Sequence, residues 1–162
     1  MALLTVRKFK DKILKKRAKK VRKINEETIK LTYDMAETMK LGQGIGLAAN
    51  QVGVLKRIII VEADFKSQQV LALINPKVVK KSREKTIDKE GCLSFPGIYL
   101  DIKRSNAVKV KAKNIKGEKV VVEAEGILAR VLQHEIDHLN GVLFYQRLSP
   151  IKRITFKMKY KL

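Results

Sequence analysis

The chain has 162 residues, enough for one domain with a single sizeable core, and its 45% apolar and 32% charged residues describe a soluble globular protein. No apolar run approaches the roughly eighteen residues of a membrane span, and the single cysteine, Cys92, excludes an internal disulfide. With 36 Lys and Arg against 16 Asp and Glu, the formal charge of +20 favours anionic surfaces or reflects a lysine bias spread over a solvated exterior.

Aromatic residues make up only 6% and there is no Trp, so little material exists for a base-stacking platform. The amino terminus lacks the basic, apolar, small-residue order of a secretory signal, so a cytoplasmic location without membrane contact is expected.

From Arg7 to Lys23, eleven of seventeen positions are Lys or Arg, with Phe9, Ile13, Leu14, Ala18 and Val21 between them. This pattern suits either a basic amphipathic helix or an extended arm with solvated lysines. Asn25 then caps a predicted helix, with Glu26 and Glu27 at its positive end and Leu31, Met35 and Met39 on one face. Leu41-Gly42-Gln43-Gly44 stops it. Stretches rich in branched residues predict strands at Arg57 to Val61, Val70 to Ile74, Val78-Val79, Ala107 to Ala112 and Lys119 to Val122. Asn75-Pro76, Phe95-Pro96-Gly97 and Lys116-Gly117 are read as turns.

A second helix is predicted from about Gly126 to Leu139, with Ile127, Val131, His134 and His138 along one stripe and Asn140-Gly141 as its stop. Ser149-Pro150 suits the start of a short basic carboxy-terminal helix. The order of elements predicts an α+β fold with mostly antiparallel sheets packed around the second helix. A single domain over residues 1–162 is expected, with a basic amino-terminal segment at about 1–24 and the basic tail at about 149–162.

That second helix carries Gln133-His134-Glu135-Ile136-Asp137-His138, a His-Glu-x-x-His pattern. Imidazoles four residues apart on a helix sit about 6 Å along its axis and about 40° around it, so both can reach one metal ion. Glu135, next to the first of them, can reach water at that ion. These are the only histidines in the chain, and no His, Asp or Glu follows His138. A third ligand must come from upstream. Cys92, in Glu90-Gly91-Cys92-Leu93-Ser94-Phe95-Pro96, is the attractive candidate, although an isolated cysteine is more often an inert buried thiol. Three ligands with one open position are the layout of a catalytic centre.

Three segments together resemble the signature motifs of peptide deformylases: Gly44-Ile45-Gly46-Leu47-Ala48-Ala49-Asn50-Gln51, Glu90-Gly91-Cys92-Leu93-Ser94, and Gln133-His134-Glu135-Ile136-Asp137-His138. Their order and separations match as well, and the resemblance covers nearly the whole chain. It implies hydrolysis of the N-formyl group from formylmethionyl peptides, with Cys92, His134 and His138 binding one divalent metal. The implied ion is Fe(II) in the cell, with zinc, nickel or cobalt accepted. Glu135 is then the general base and acid, while the Gln51 amide and the Leu93 backbone N–H hold the oxyanion. Peptide would bind by strand addition along Ile45, Gly46 and Gly91, and Ile45, Ile127 and Val131 would line the methionine pocket, unless they are ordinary core packing.

Two features depart from the family pattern. Expected amino-terminal prolines are replaced by Phe9-Lys10-Asp11 and Ala18-Lys19-Lys20-Val21, and the tail is short. The basic amino-terminal segment and the acid-free tail raise the expectation of a ribosomal partner near the nascent-chain exit. A metallopeptidase would share His134, Glu135 and His138 but gives no role to Cys92 with Gln51. A basic RNA-binding protein with a structural metal would account for the charge, but not for the absent fourth ligand.

Overall fold

A computed structural model describes residues 3–64 and 69–162. Helix α1 spans Glu26–Leu41, and the Asn25 carboxamide accepts the Thr28 N–H at 3.0 Å, as its sequence position predicts. Strand β1, Gly46–Ala48, follows and runs into a 3-10 turn at Ala49–Val52. Strands β2 (Ile58–Asp64) and β3 (Gln69–Lys81) come next, then β4 (Lys85–Cys92), β5 (Phe95–Ser105), β6 (Ala107–Lys113) and β7 (Lys119–Glu125). Helix α2 occupies Gly126–Leu139, and α3 occupies Pro150–Tyr160 after a 3-10 turn at Phe144–Arg147.

The strands form two antiparallel sheets, one in the order β1-β2-β3-β6-β7 and the other a β4-β5 pair. Alternation along β2 explains the layering. Ile59 and Val61 face α2, where they pack with Val108, Val110, Leu132 and Ile136. Ile58 and Ile60 point the opposite way, onto Met35 and Met39 of α1. Across β1 and β2 the sheet therefore lies between the two helices, whereas β6 and β7 leave one face to solvent, with Lys111, Lys113 and Val121 exposed. A third cluster, built on Phe95, Phe144, Tyr145 and Phe156, joins β5 to the carboxy-terminal elements. Every residue of α2 from Ala129 to Leu139 is buried, which makes it the central helix that the expected α+β architecture requires.

Two local expectations need correction. Asn75-Pro76 does not end a strand: β3 runs through it, with an irregular register between Ile74 and Lys77 and a positive φ at Asn75. A break in the ladder at that point spares the proline the N–H it cannot donate. Phe95-Pro96-Gly97 is likewise inside β5, and the turn falls at Leu93-Ser94 instead. Strands β4 and β5 were not expected: β4 carries Lys85, Asp88 and Lys89 exposed and shows no apolar alternation. Ile98, Leu100 and Ile102 of β5 do alternate with exposed Tyr99, Asp101 and Lys103, but follow a Pro-Gly pair read as a turn.

The basic amino-terminal segment resolves into an extended arm with one 3-10 turn at Lys12–Lys15, capped by the Asp11 carboxylate. It is pinned by backbone bonds from Ala18 N–H to the Leu139 carbonyl at 2.8 Å and from Lys19 N–H to the Leu55 carbonyl at 2.9 Å. Leu14 and Ala18 are buried beneath it.

Candidate active site

Three parts of the fold meet at one end of α2. Cys92 closes β4, His134 and His138 lie one turn apart on α2, and Gln51 stands on the 3-10 turn after β1. The Cys92 sulfur and one ring nitrogen from each histidine all lie within 4.8 Å of one another, with Cys92 Sγ 3.3 Å from His138 Nε2. Ligands around a tetrahedral ion at ordinary Zn–S and Zn–N lengths are separated by about 3.3–3.6 Å, so one small cation fits among these three donors.

The surroundings orient the donors. Glu90 Oε2 lies 3.0 Å from His134 Nδ1, so Nδ1 donates to Glu90 and Nε2 is the nitrogen turned toward Cys92. Glu90 is itself clamped: Arg104 donates from Nε at 2.8 Å and from Nη2 at 3.0 Å, and Arg130 donates at 2.9 Å. Arg104 also reaches Asp137, whose second oxygen binds Arg147. A chain of buried charges thus runs from the histidine to the far side of α2. Its members Glu90, Arg104, Arg130 and Asp137 were not singled out by pattern reading, although Glu90 and Asp137 lie inside the quoted motifs.

Burial alone would raise the Glu90 carboxyl, but hydrogen bonds from His134 and Arg104 and their charges outweigh it and bring it down to about 2. A carboxyl depressed in the fold stabilises it above the unfolded value, and that contribution is lost as pH falls from about 4.5 through about 2. Of the order of 3 kcal/mol is at stake for a shift of this size. Urea unfolding of metal-free protein at about pH 5 and about pH 3 is expected to show that loss in the wild type and not in Glu90→Gln. Equal pH sensitivity in both would remove Glu90 as its source.

Burial works against charge on His134, yet the Cys92 sulfur and Glu90 hold its proton well above the usual histidine range. His138, buried with His134 and Arg104 nearby, is held well below it.

Gln51 has one possible orientation. Its Oε1 accepts the Ala48 N–H at 2.7 Å, so its NH2 group faces Cys92 Sγ at 3.4 Å and Ser94 Oγ at 3.2 Å. A donor is therefore aimed at the centre of the cluster. Leu93 follows Cys92 at the turn, with its side chain against Gly42 and Gly44.

Glu135 is 4% exposed and its Oε2 has no hydrogen-bond partner. Burial, the largest influence, pushes this carboxyl up to about 7, with Glu90 adding to the rise while His134 and Arg104 oppose it. A group poised there can both take and give a proton near neutral pH. Gly46 makes room for it. A Cβ on Gly46 would fall 2.5 Å from Glu135 Oε1 and 2.7 Å from Val131 Cγ1. Gly46→Ala is expected to displace Glu135 and lower kcat by about 10²-fold, the usual cost of a misplacement near 1 Å. An unchanged kcat in a folded Gly46→Ala variant would show that Glu135 tolerates the shift.

Of the expected peptide-contacting residues, Gly46 lies in β1, the edge strand of its sheet. Glu62 N–H donates to the Ile45 carbonyl at 2.9 Å, so antiparallel alternation turns the N–H and C=O of Gly46 to the free edge. Gly91 is exposed in β4 against the ring of Tyr99. Ile45 and Ile127 are exposed at 39% and 55%, and Val131 is buried beside Gly46, on the same side of α2 as the histidines. An exposed pair above a buried valine is what a shallow apolar pocket requires.

The model of the polypeptide deformylase family matches residues 3–154. The chain belongs to the polypeptide deformylase family. A peptide deformylase of Thermodesulfovibrio yellowstonii is 45% identical over 163 residues, covering 99% of this chain and 98% of that one. Among solved structures, the peptide deformylase of Thermotoga maritima is 45% identical, with a TM-score of 0.88 over 93% of this chain and 100% of its own. The peptide deformylase of Ehrlichia chaffeensis in complex with actinonin is 41% identical, with a TM-score of 0.92 over 99% of this chain and 97% of its own. This deformylase is thus a metal-dependent hydrolase that removes formyl groups from nascent peptides.

Proposed function

We propose that Cys92, His134 and His138 hold the metal ion of this deformylase, and that Glu135, Gln51 and Leu93 carry out the chemistry beside it. The grouping of one sulfur and two ring nitrogens within 4.8 Å, next to a buried carboxylate with an unpartnered oxygen, is the observation that supports this most directly. A bound divalent ion supplies Lewis acidity, polarising a carbonyl and acidifying water.

The remaining work falls to the chain. Glu135 Oε2 takes a proton from the water that adds to the formyl carbon. The Gln51 NH2 group and the Leu93 N–H donate to the oxygen as negative charge develops on it, and removal of one such donor costs about 2.7–4 kcal/mol of barrier. Glu135 then delivers its proton to the departing amine as the C–N bond breaks, leaving formate and a free amino terminus. The outward N–H and C=O of Gly46, with Gly91 across the cleft, bind the peptide main chain by strand addition, and Ile45, Ile127 and Val131 receive the methionine side chain. Main-chain recognition leaves the residues after methionine largely unrestricted.

A thiolate with two imidazoles accepts several divalent ions; we assign Fe(II) in the cell and expect zinc, nickel or cobalt to substitute. No helix among the described residues is long and apolar enough to cross a membrane. We place the enzyme in the cytoplasm near the nascent-chain exit of the ribosome, with the exposed Lys152, Lys157 and Lys159 of α3 facing its anionic surface. Substrate choice tests the reaction. Metal-loaded protein is expected to release formate from formyl-Met-Ala-Ser and to leave Met-Ala-Ser intact, whereas cleavage of the unformylated peptide would favour a metallopeptidase.

A further inference from the structure

Behind α2, opposite the metal ligands, lies a cleft of about 740 Å³ that the catalytic reading does not use. Its residues Gln133, Ile136 and Asp137 of α2, with the cap residue Asn140, fall on the side of the helix away from His134, Glu135 and His138 at about 100° per residue. Six cationic side chains line it: Arg17 and Lys20 of the amino-terminal arm, Arg57 at the start of β2, Lys77 and Lys81 of β3, and Arg147. Asp137 is the only carboxylate of the lining, and it is already shared between Arg104 and Arg147. Among the described residues, no ion pair involves Arg17, Lys20, Arg57, Lys77 or Lys81.

The walls are built rather than incidental. The Asn75 carboxamide, at the irregular point of β3, clamps the arm with bonds to the Val21 N–H and carbonyl, both at 2.8 Å. Arg57 is fixed by donation to Asn140 Oδ1 at 2.9 Å and to the Pro76 carbonyl at 3.2 Å. Burial, and after it the charge of Arg17, lower Arg57 below the usual arginine range, so the two guanidinium groups of the cleft repel each other. None of the large exposed apolar side chains lines the cleft, so it has nothing to insert into a bilayer or to dock on an apolar protein face. It has no aromatic ring for base stacking either.

We propose that this cleft binds the phosphate backbone of structured RNA, with successive phosphates between the arm and β3. Cations on both walls, in a space far larger than one phosphate, fit a run of phosphates rather than a single one. Backbone contact without stacking gives recognition by charge and shape and not by sequence. The proposal does not depend on the assignment of the catalytic residues.

The test is fluorescence anisotropy of a short labelled RNA duplex with the metal-loaded enzyme, titrated from about 50 to about 200 mM salt. A variant combining Arg17→Gln, Lys77→Gln and Lys81→Gln is expected to bind at least about tenfold more weakly and to lose about three from the log–log salt slope. Its formate release from a free formylated peptide should match the wild type, which excludes misfolding. Removing the same number of exposed charges from the β4-β5 ribbon, through Lys85→Gln, Lys89→Gln and Lys103→Gln, is expected to change RNA affinity by less than about twofold. Equal weakening in both triple variants would overturn the cleft assignment and leave a diffuse basic surface. Binding of inorganic tripolyphosphate, or of anionic phosphatidylglycerol vesicles, without binding of RNA would overturn the assignment to nucleic acid.

Discussion

Glu135→Gln is expected to lower kcat for formate release by about 10²–10⁴-fold while leaving the metal content and the fold unchanged. The substitution keeps the shape of the side chain against Gly46, so position is preserved and only the proton chemistry is lost. It also separates function from stability. A buried carboxyl raised to about 7 opposes folding once pH exceeds its unfolded value near 4.5, and the penalty grows until pH passes about 7. Metal-free Glu135→Gln should therefore melt at a higher temperature than the metal-free wild type at about pH 8, gaining stability as it loses activity. A kcat within tenfold of wild type would mean that another group moves the proton. An unchanged melting temperature would mean that the carboxylate finds partners when it ionises.

Arg104→Met is expected to be the most damaging single change away from the reacting atoms. Its guanidinium is buried, with side-chain exposure of 4%, and joins the Glu90 and Asp137 carboxylates. Removing one partner of a buried pair leaves uncompensated charge and costs about 3–5 kcal/mol. For a chain of this size that lowers Tm by roughly 6–20 °C. Glu90 would lose its bidentate clamp, and with it the firm orientation of His134, so metal affinity should fall by about 10–100-fold. Calorimetry and metal titration of the one variant check both effects. A large drop in Tm with unchanged metal affinity would confine Arg104 to stability, and Arg130 would then suffice to hold Glu90.

The candidate site was the most legible part of the sequence. The His134–His138 spacing on an apolar-striped helix, and the lack of any later ligand, pointed back to Cys92, and the structure brings the three together. Helix α1, helix α2 and the start of α3 were readable because their caps and periodic faces follow local rules. Strand β4 was not, because its exposed, charged length is stabilised by its own ladder and needs no apolar alternation, and the alternating Ile98, Leu100 and Ile102 of β5 were hidden behind a Pro96-Gly97 pair that reads as a turn. The segment from Arg7 to Lys23 was open between helix and extended arm; its outcome depends on bonds to Leu139, Leu55 and Asn75, distant in sequence. The same limit hid Arg104 and Arg130. An arginine in a strand, as Arg104 is, or in a helix, as Arg130 is, looks like solvent-facing charge until Glu90 is placed beside it.

The most direct measurement is formate release from formyl-Met-Ala-Ser by protein first stripped with a chelator and then reloaded with Fe(II) or Ni(II) without oxygen, for the wild type and Cys92→Ala. The wild type is expected to lose activity on stripping and regain it on reloading, and Cys92→Ala to bind the ion weakly and release no formate under either condition. Formate release by stripped protein, or by Cys92→Ala at the wild-type rate, would contradict a catalytic metal held by Cys92, His134 and His138.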